Sequence, residues 1–204
     1  MVSLRQFRSE DLSALYAISL ATGHLGGDAS HLYSDPNLMG HIYSAPYALL
    51  NPTLVLVAVD GDGVAGFVLG ALDTAAWEVM LERNWWPALR AQYPDPGDTS
   101  DATWTTDQRR AFMIHHPERG PPAVTNAYPA HLHMNLLPRA QGRGVGSMLL
   151  GEWLRRAAKC QAKAIHVGVN RANLRAIHFW DRHGFKELTR VDTTRNRTMW
   201  MGRS

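Results

Sequence analysis

Gln141-Gly142-Arg143-Gly144-Val145-Gly146 is the segment whose residue types most directly imply chemistry. It follows a strand-like run and opens an amphipathic one, so its glycines fall where a helix begins. Small residues there leave first-turn N–H groups exposed. Those groups have no intrahelical partner, and the helix dipole draws an anion toward them. Arg139 and Arg143 add positive charge nearby, so a diphosphate is the ligand chemistry to expect. Two familiar nucleotide loops do not match. Gly146 is followed by Ser147 without the lysine of a Walker loop, and the even spacing of Gly142, Gly144 and Gly146 differs from the dinucleotide fingerprint. A tight turn with no ligand is the simpler alternative.

Just upstream, His131, His133 and Asn135 recur every second residue, which puts them on one face of a strand. Histidine can accept a proton near neutral pH. A half-buried histidine bonded to a neighbouring carbonyl is the structural alternative. Other clusters carry less. His115 and His116 are adjacent, which does not place them on one helix face, and no third ligand is near, so no metal is expected. Cys160 is the single cysteine; it excludes an internal disulfide and has no adjacent base pattern. His24, His31, Tyr33, Asp35, His41 and Tyr47, with Asp73, could roof an acceptor site. Trp85, Trp86 and Trp104 fit packing, a groove or a subunit contact.

The elements that must position these residues can be read from periodicity. Val2 to Phe7 alternates as a strand, and a helix follows with Ser9 as its N-cap. Residues 23–52 read as short helical turns and loops. A hairpin joins strands 54–59 and 64–72 through a turn at Asp60 to Gly63. Pro87 kinks or divides the helical stretch after it, and a short helix follows in the run 106–128. Then come a strand to Leu137, a helix from Gly144 to Lys159, a strand from about Lys163, a helix from Asn173, and two antiparallel strands. The order is mixed α/β.

Gln141-x-x-Gly144-x-Gly146 after a strand ending in "NLLP" resembles the acyl-CoA signature of the GNAT acetyltransferase superfamily. The run "HVGVNRANLRAIHFWDRHGFKEL", with Asn173, Ala176, Gly184 and Phe185, is similar to that family's later strand, turn, helix and Gly-Phe. A narrower likeness, carried by "YPAHLHMNLLPRAQGRGVGSMLL", "FWDRHGF" and "TMWMGRS", is to the acetyltransferase-like domain at the C-terminus of animal O-GlcNAc hydrolases and its free-standing bacterial relatives.

The resemblance implies one GNAT-like α/β domain over 1–204, with insertions at about 23–52 and 75–125. Its central sheet would be mainly antiparallel, V-shaped and flanked by helices. Acetyl-CoA would enter as a wedge, its pantetheine pairing with main chain around Asn135, Leu136 and Leu137. Its diphosphate would meet Arg139, Gln141, Gly142, Arg143, Gly144, Val145, Gly146 and Ser147, with Asn173 and Trp180 beside the arm. A main-chain N–H near Leu136 would stabilise the oxyanion, and His133 or His131 would serve as base. Many members place a tyrosine where this chain has Trp180, and an indole has no useful acidity. The implied activity is transfer of acetyl to a primary amine, on a small molecule or on a peptide or protein. The alternative is an inactive acetyl-CoA-binding or protein-interaction module.

Bulk properties bound these expectations. The chain has 204 residues, 45% of them hydrophobic, which can fill a core. Its net charge is only +3 with the basic residues scattered, so nucleic acid is not an expected partner. No run approaches a membrane span and the start lacks a signal-peptide core, so a cytoplasmic monomer or homodimer is expected.

Overall fold

The structure is a computed structural model, and it describes residues 1–97, 103–188 and 197–204. Among the described residues seven strands form one sheet: β1 (Ser3–Gln6), β2 (Leu56–Asp60), β3 (Gly63–Ala71), β4 (Ala130–Leu136), β5 (Ile165–Asn170), β6 (Lys186–Glu187) and β7 (Thr198–Arg203). Their spatial order is β1-β2-β3-β4-β5-β7-β6. Every pair is antiparallel except β4 with β5. The expected hairpin is β2–β3; Asp60 Oδ1 accepts from the Asp62 N–H at 2.9 Å to tighten its turn. The segment 189–196 of the expected terminal hairpin lies outside the described residues.

Strand alternation sorts the core into two halves. Leu56, Ala58, Val68, Ala130 and Leu132 face α8 (Val145–Lys159) and α9 (Leu174–Arg182), whose Val145, Leu149, Leu150, Trp153 and Trp180 fill that side. The spacing of α8's buried residues puts them on one helical stripe. Val57, Phe67, Leu69 and Ala71 face the other way, toward α1 (Leu12–Ala21), α2 (Leu38–Tyr43), α3 (Ala45–Leu50), α4 (Thr74–Asn84), α5 (Trp86–Gln92) and α6 (Thr106–His115). A one-turn helix, α7 (Pro122–Thr125), leads into β4. Pro87 falls in the first turn of α5, where its missing N–H costs nothing, and α4 ends just before it. The run 23–52 holds α2 and α3, and the run 75–125 holds most of α4 with α5 to α7. Both runs contribute to the same sheet face, the one to which His131, His133 and Asn135 project.

Two local expectations need correction. Ser9 does not cap α1. A 3-10 turn, Ser9–Asp11, precedes that helix, and the Asp11 carboxylate accepts from the Arg8 N–H at 2.8 Å and from Arg5 at 2.6 and 2.7 Å. Gly144 is not inside α8 but is its N-cap, at φ +78°, a left-handed conformation that glycine adopts without steric cost.

Candidate functional site

β4 and β5 pair at only two positions, Ala130 with Ile165 and His131 with His166, and then diverge. Past that point the β5 side of β4 has no strand partner. Leu137 donates its N–H to the Ala65 carbonyl at 2.8 Å, and strand alternation therefore turns the main chain of His131, His133 and Asn135 toward β3 as well. Leu132, Met134 and Leu136 turn theirs to the β5 side, where the His131–His166 pairing engages Leu132 and the opening begins beyond it. The Leu136 carbonyl accepts from Gln141 Nε2 at 2.6 Å, which leaves its N–H and both main-chain groups of Met134 facing the gap. The main-chain groups at the open edge are thus those of Met134 and Leu136 and not, as expected, those of Asn135 and Leu137, because only alternate residues address one side of a strand.

A cleft of about 490 Å³ runs from this edge across the glycine loop. Its walls include Leu136, Gln141, Gly142, Gly144, Gly146, Ser147, Asn173 and Trp180. Gly142 lies at φ +71° and, like Gly144, has nothing within 4 Å of where a Cβ would stand, so the loop is bare on its outer side. At Gly146 a Cβ would approach the Phe179 ring to 3.1 Å, which packs α8 against α9. Val145 is buried in the core and can offer a ligand only its main chain. Ser147 Oγ lies 2.9 Å from His183 Nε2. His183 Nδ1 meets the Phe179 carbonyl at 2.7 Å and must donate there, so the serine hydroxyl is the donor to Nε2.

The charges are arranged differently from expectation. Arg139 is turned onto Asp60 at 2.9 Å and the Val64 carbonyl at 3.1 Å, fastening the loop to the β2–β3 turn rather than facing the cleft. Arg143 is exposed and reaches back to the Arg139 carbonyl at 3.4 Å. The cations on the cleft wall are Arg175 and Arg182 of α9. Arg175 Nη1 donates to Gln141 Oε1 at 2.5 Å, so the Gln141 amide is spent on joining β4 to α9. No motif marks Arg175 or Arg182; their amphipathic helix was the only available signal.

A second cavity in the same β4–β5 opening, about 220 Å³, is lined by His133, Asn135, Tyr43, Met39, Asn170, Asn173 and Trp180, among others. The two cavities share Met134, Asn135, Asn173, Ala176 and Trp180, so these residues sit at their junction. Asn173 Oδ1 caps α9 by accepting from the Ala176 N–H at 3.1 Å. Asn135 Nδ2 donates to Thr22 Oγ1 at 2.7 Å.

The two histidines differ sharply. His131 is buried, with Nδ1 2.8 Å from Thr74 Oγ1 and Nε2 2.6 Å from the Tyr47 hydroxyl. Thr74 gives its one proton to the Pro129 carbonyl at 2.7 Å, so it accepts from His131 Nδ1–H, and Tyr47 donates to Nε2. Burial, then His133 and His166, hold His131 well below the usual histidine range. His133 is half-buried and faces the cavity; no described residue hydrogen-bonds its ring. Its neighbours are the rings of Tyr43, Tyr47 and His131, at 6.3, 5.6 and 5.7 Å. Burial first, and His166 second, push its pKa down to about 4. His133 is therefore neutral at pH 7, with its nitrogen lone pair available to a ligand.

His41, Asp35 and Asp73 make structural contacts. His41 Nδ1 meets Tyr16 Oη at 2.9 Å, Asp35 accepts from Tyr93 Oη at 2.7 Å, and Asp73 caps α4 through the Ala76 N–H at 2.9 Å. His115 and His116 both approach Asp95, at 3.9 and 2.7 Å, and no group of three or more metal-ligating side chains occurs among the described residues. Among the described residues, no helix is long and apolar enough to cross a membrane.

A profile of the acetyltransferase (GNAT) family matches residues 28–185. The crystal structure of SsHAT is similar over 100% of this chain and 98% of its own, with 36% identity and a TM-score of 0.90. The paia N-acetyltransferase from Thermoplasma acidophilum, solved in complex with coenzyme A, is 16% identical with a TM-score of 0.58, over 100% of this chain and 99% of its own. The structure of yncA from Salmonella typhimurium, solved with its cofactor acetyl-CoA, is 17% identical with a TM-score of 0.55, over 100% of this chain and 94% of its own. A splayed β4–β5 edge beside a glycine-capped helix, with the family profile and the SsHAT likeness, makes this chain a member of the acetyltransferase (GNAT) family.

Proposed function

We propose that the protein binds acetyl-CoA in the β4–β5 opening and transfers its acetyl group to a primary amine. The observation that carries this reading is the unpaired edge of β4 ending at a left-handed glycine cap, because together they offer main-chain pairing and an anion site along one cleft. Met134 and the Leu136 N–H would pair with the amide-bearing arm as an added strand does. The first-turn N–H groups of α8 would take the diphosphate, with Arg175 and Arg182 adding charge. The domain's likeness to the acetyltransferase-like part of O-GlcNAc hydrolases belongs to the same proposal and awaits its own test.

In the reaction the amine nitrogen attacks the thioester carbonyl carbon, and the carbonyl oxygen takes on negative charge. The Leu136 N–H, fixed in the strand and aimed into the opening, would stabilise that oxyanion without reorganising. The amine must shed one proton. His133 would accept it, or hold the neutral amine by its ring nitrogen while water takes the proton. His131, with both nitrogens engaged, would position the neighbouring groups. Collapse breaks the C–S bond and releases a thiolate. Trp180 supplies no proton, so water would deliver one to the sulfur.

Trp180 is also what favours the second reading, a module that binds acetyl-CoA without turnover. Calorimetric titration with acetyl-CoA, desulfo-CoA and adenosine diphosphate, followed by a thiol-release screen over amines, tests both. Micromolar acetyl-CoA binding well above that of the diphosphate, with amine-dependent thiol release, supports the transferase. Binding alone supports the module. No binding to folded, ligand-free protein sinks both.

A further inference from the structure

We propose that Arg110 on α6 binds the anionic end of the acceptor, and that the acceptor is a small amine carrying a carboxylate. The inference rests on the acetyl-transfer reading and narrows it. Arg110 is half-buried, its guanidinium carbon 6.0 Å from the Tyr33 ring centre and 5.6 Å from that of Tyr43. Its Nε donates to Tyr33 Oη at 2.9 Å, and its Nη1 approaches Met113 Sδ, a weak acceptor, at 3.0 Å. No carboxylate among the described residues forms an ion pair with it.

Among the described half-buried arginines Arg110 shares this only with Arg203, which donates to the His183 carbonyl at 3.0 Å. Arg5, Arg90, Arg156 and Arg171 have side chains 26–29% exposed, and each meets a carboxylate, at 2.6, 2.5, 2.9 and 3.1 Å respectively. Partly burying a guanidinium without a counter-ion is costly, and the two tyrosine faces offset only part of the cost. Of its five N–H donors, two are accounted for, and the others match the two oxygens of a carboxylate. Tyr33 accepts from Arg110 and so keeps its own proton free to donate to the same anion.

Position links this cation to the reaction. Tyr43 lines the cavity that His133 faces, and its ring neighbours both groups: the His133 ring is 6.3 Å from it and the Arg110 guanidinium, which stands outside that lining, 5.6 Å. An amine at His133 and an oxyanion at Arg110 would therefore belong to one small molecule lying along Tyr43. The nearby carboxylates do not fill the role. Asp107 accepts from the Ser34 N–H at 3.0 Å, and Glu118 is exposed and forms no ion pair with Arg110. A neutral amino sugar would leave the guanidinium unused.

The test is a series of ω-amino carboxylates from glycine to 6-aminohexanoate, each paired with the alkylamine lacking the carboxylate. Thiol release from acetyl-CoA gives kcat/KM, and ligand-observed NMR gives binding to the CoA-loaded protein. At least one chain length should exceed its alkylamine by about 10- to 100-fold, the usual range for a charged hydrogen-bonded pair. The ratio should fall toward one in Arg110→Gln, and in part in Arg110→Lys and Tyr33→Phe, with melting temperature recorded for each. Equal rates and binding for the matched pairs, or a preference that survives Arg110→Gln, would overturn the assignment while leaving the transferase intact. Arg110-dependent binding without thiol release would keep the anion site and remove the transferase. If Arg110→Gln does not fold, Tyr33→Phe decides: an unaltered preference there counts against the site.

Discussion

His133 is kept neutral by its surroundings rather than by a partner, and this fixes its pH behaviour. A histidine with a pKa of about 4 stays unprotonated through the range where an ordinary imidazole titrates. The pH profile of kcat/KM should therefore show no acid limb near pH 6.5 from the enzyme; it should rise with pH as the acceptor amine loses its proton. A limb centred near 6.5 that disappears in His133→Gln would contradict this. His133→Gln itself should lower kcat by about 100- to 10,000-fold if the ring takes the proton, and by much less if it only orients the amine. At His131 the effect should be structural. Tyr47→Phe removes the hydroxyl that donates to a buried nitrogen and should cost about 1–3 kcal/mol in urea unfolding. Sequence spacing could put both histidines on one face. It could not reveal that Tyr47, 84 residues away, occupies one of them and leaves the other free.

At the scale of elements, the starts of α8 and α9 meet at the cleft and should be separable by mutation. Gly144→Ala forces a side chain onto a residue at φ +78°, which should cost about 1 kcal/mol of stability and weaken acetyl-CoA binding more than that strain alone explains. Asn173→Ala removes the cap on the Ala176 N–H and should cost about 1 kcal/mol in thermal unfolding, with a fall in acetyl-CoA affinity read by calorimetry. The glycine loop was legible because a helix start needs few residues to specify it. Arg139 was misread because charge near a loop in sequence says nothing of direction, and Asp60, 79 residues earlier, claims it. Leu137 was misread for a related reason: which residues of a strand address the open side depends on register with β3, and no single strand carries that information.

The whole molecule joins two cavities at the β4–β5 opening, one along the glycine loop and the other reaching the side of the sheet that α1 to α6 cover. That side is rich in histidines held neutral, and the sign of its pH dependence follows. Burial lowers the pKa values of His41, His131, His133 and His166, so below about pH 6.5 the unfolded chain binds protons that the folded chain refuses. Stability should be full above pH 6.5 and decline toward pH 4, each histidine adding a slope of at most about 1.4 kcal/mol per pH unit. Urea midpoints measured from pH 8 to pH 4 check this, and a flat profile would contradict it. The individual strands were readable from alternation and the mainly antiparallel sheet from the family resemblance, whereas the spatial order of the strands and the packing of the runs 23–52 and 75–125 over a single face were not. The two-residue pairing of β4 with β5 carries a further consequence. In hydrogen–deuterium exchange, the amides of His133, Asn135 and Leu137 should be slow in the free protein, whereas those of Met134 and Leu136 should exchange rapidly. Acetyl-CoA should slow the second set and barely alter the first, so that a single strand reports its ligand as an every-other-residue pattern of protection.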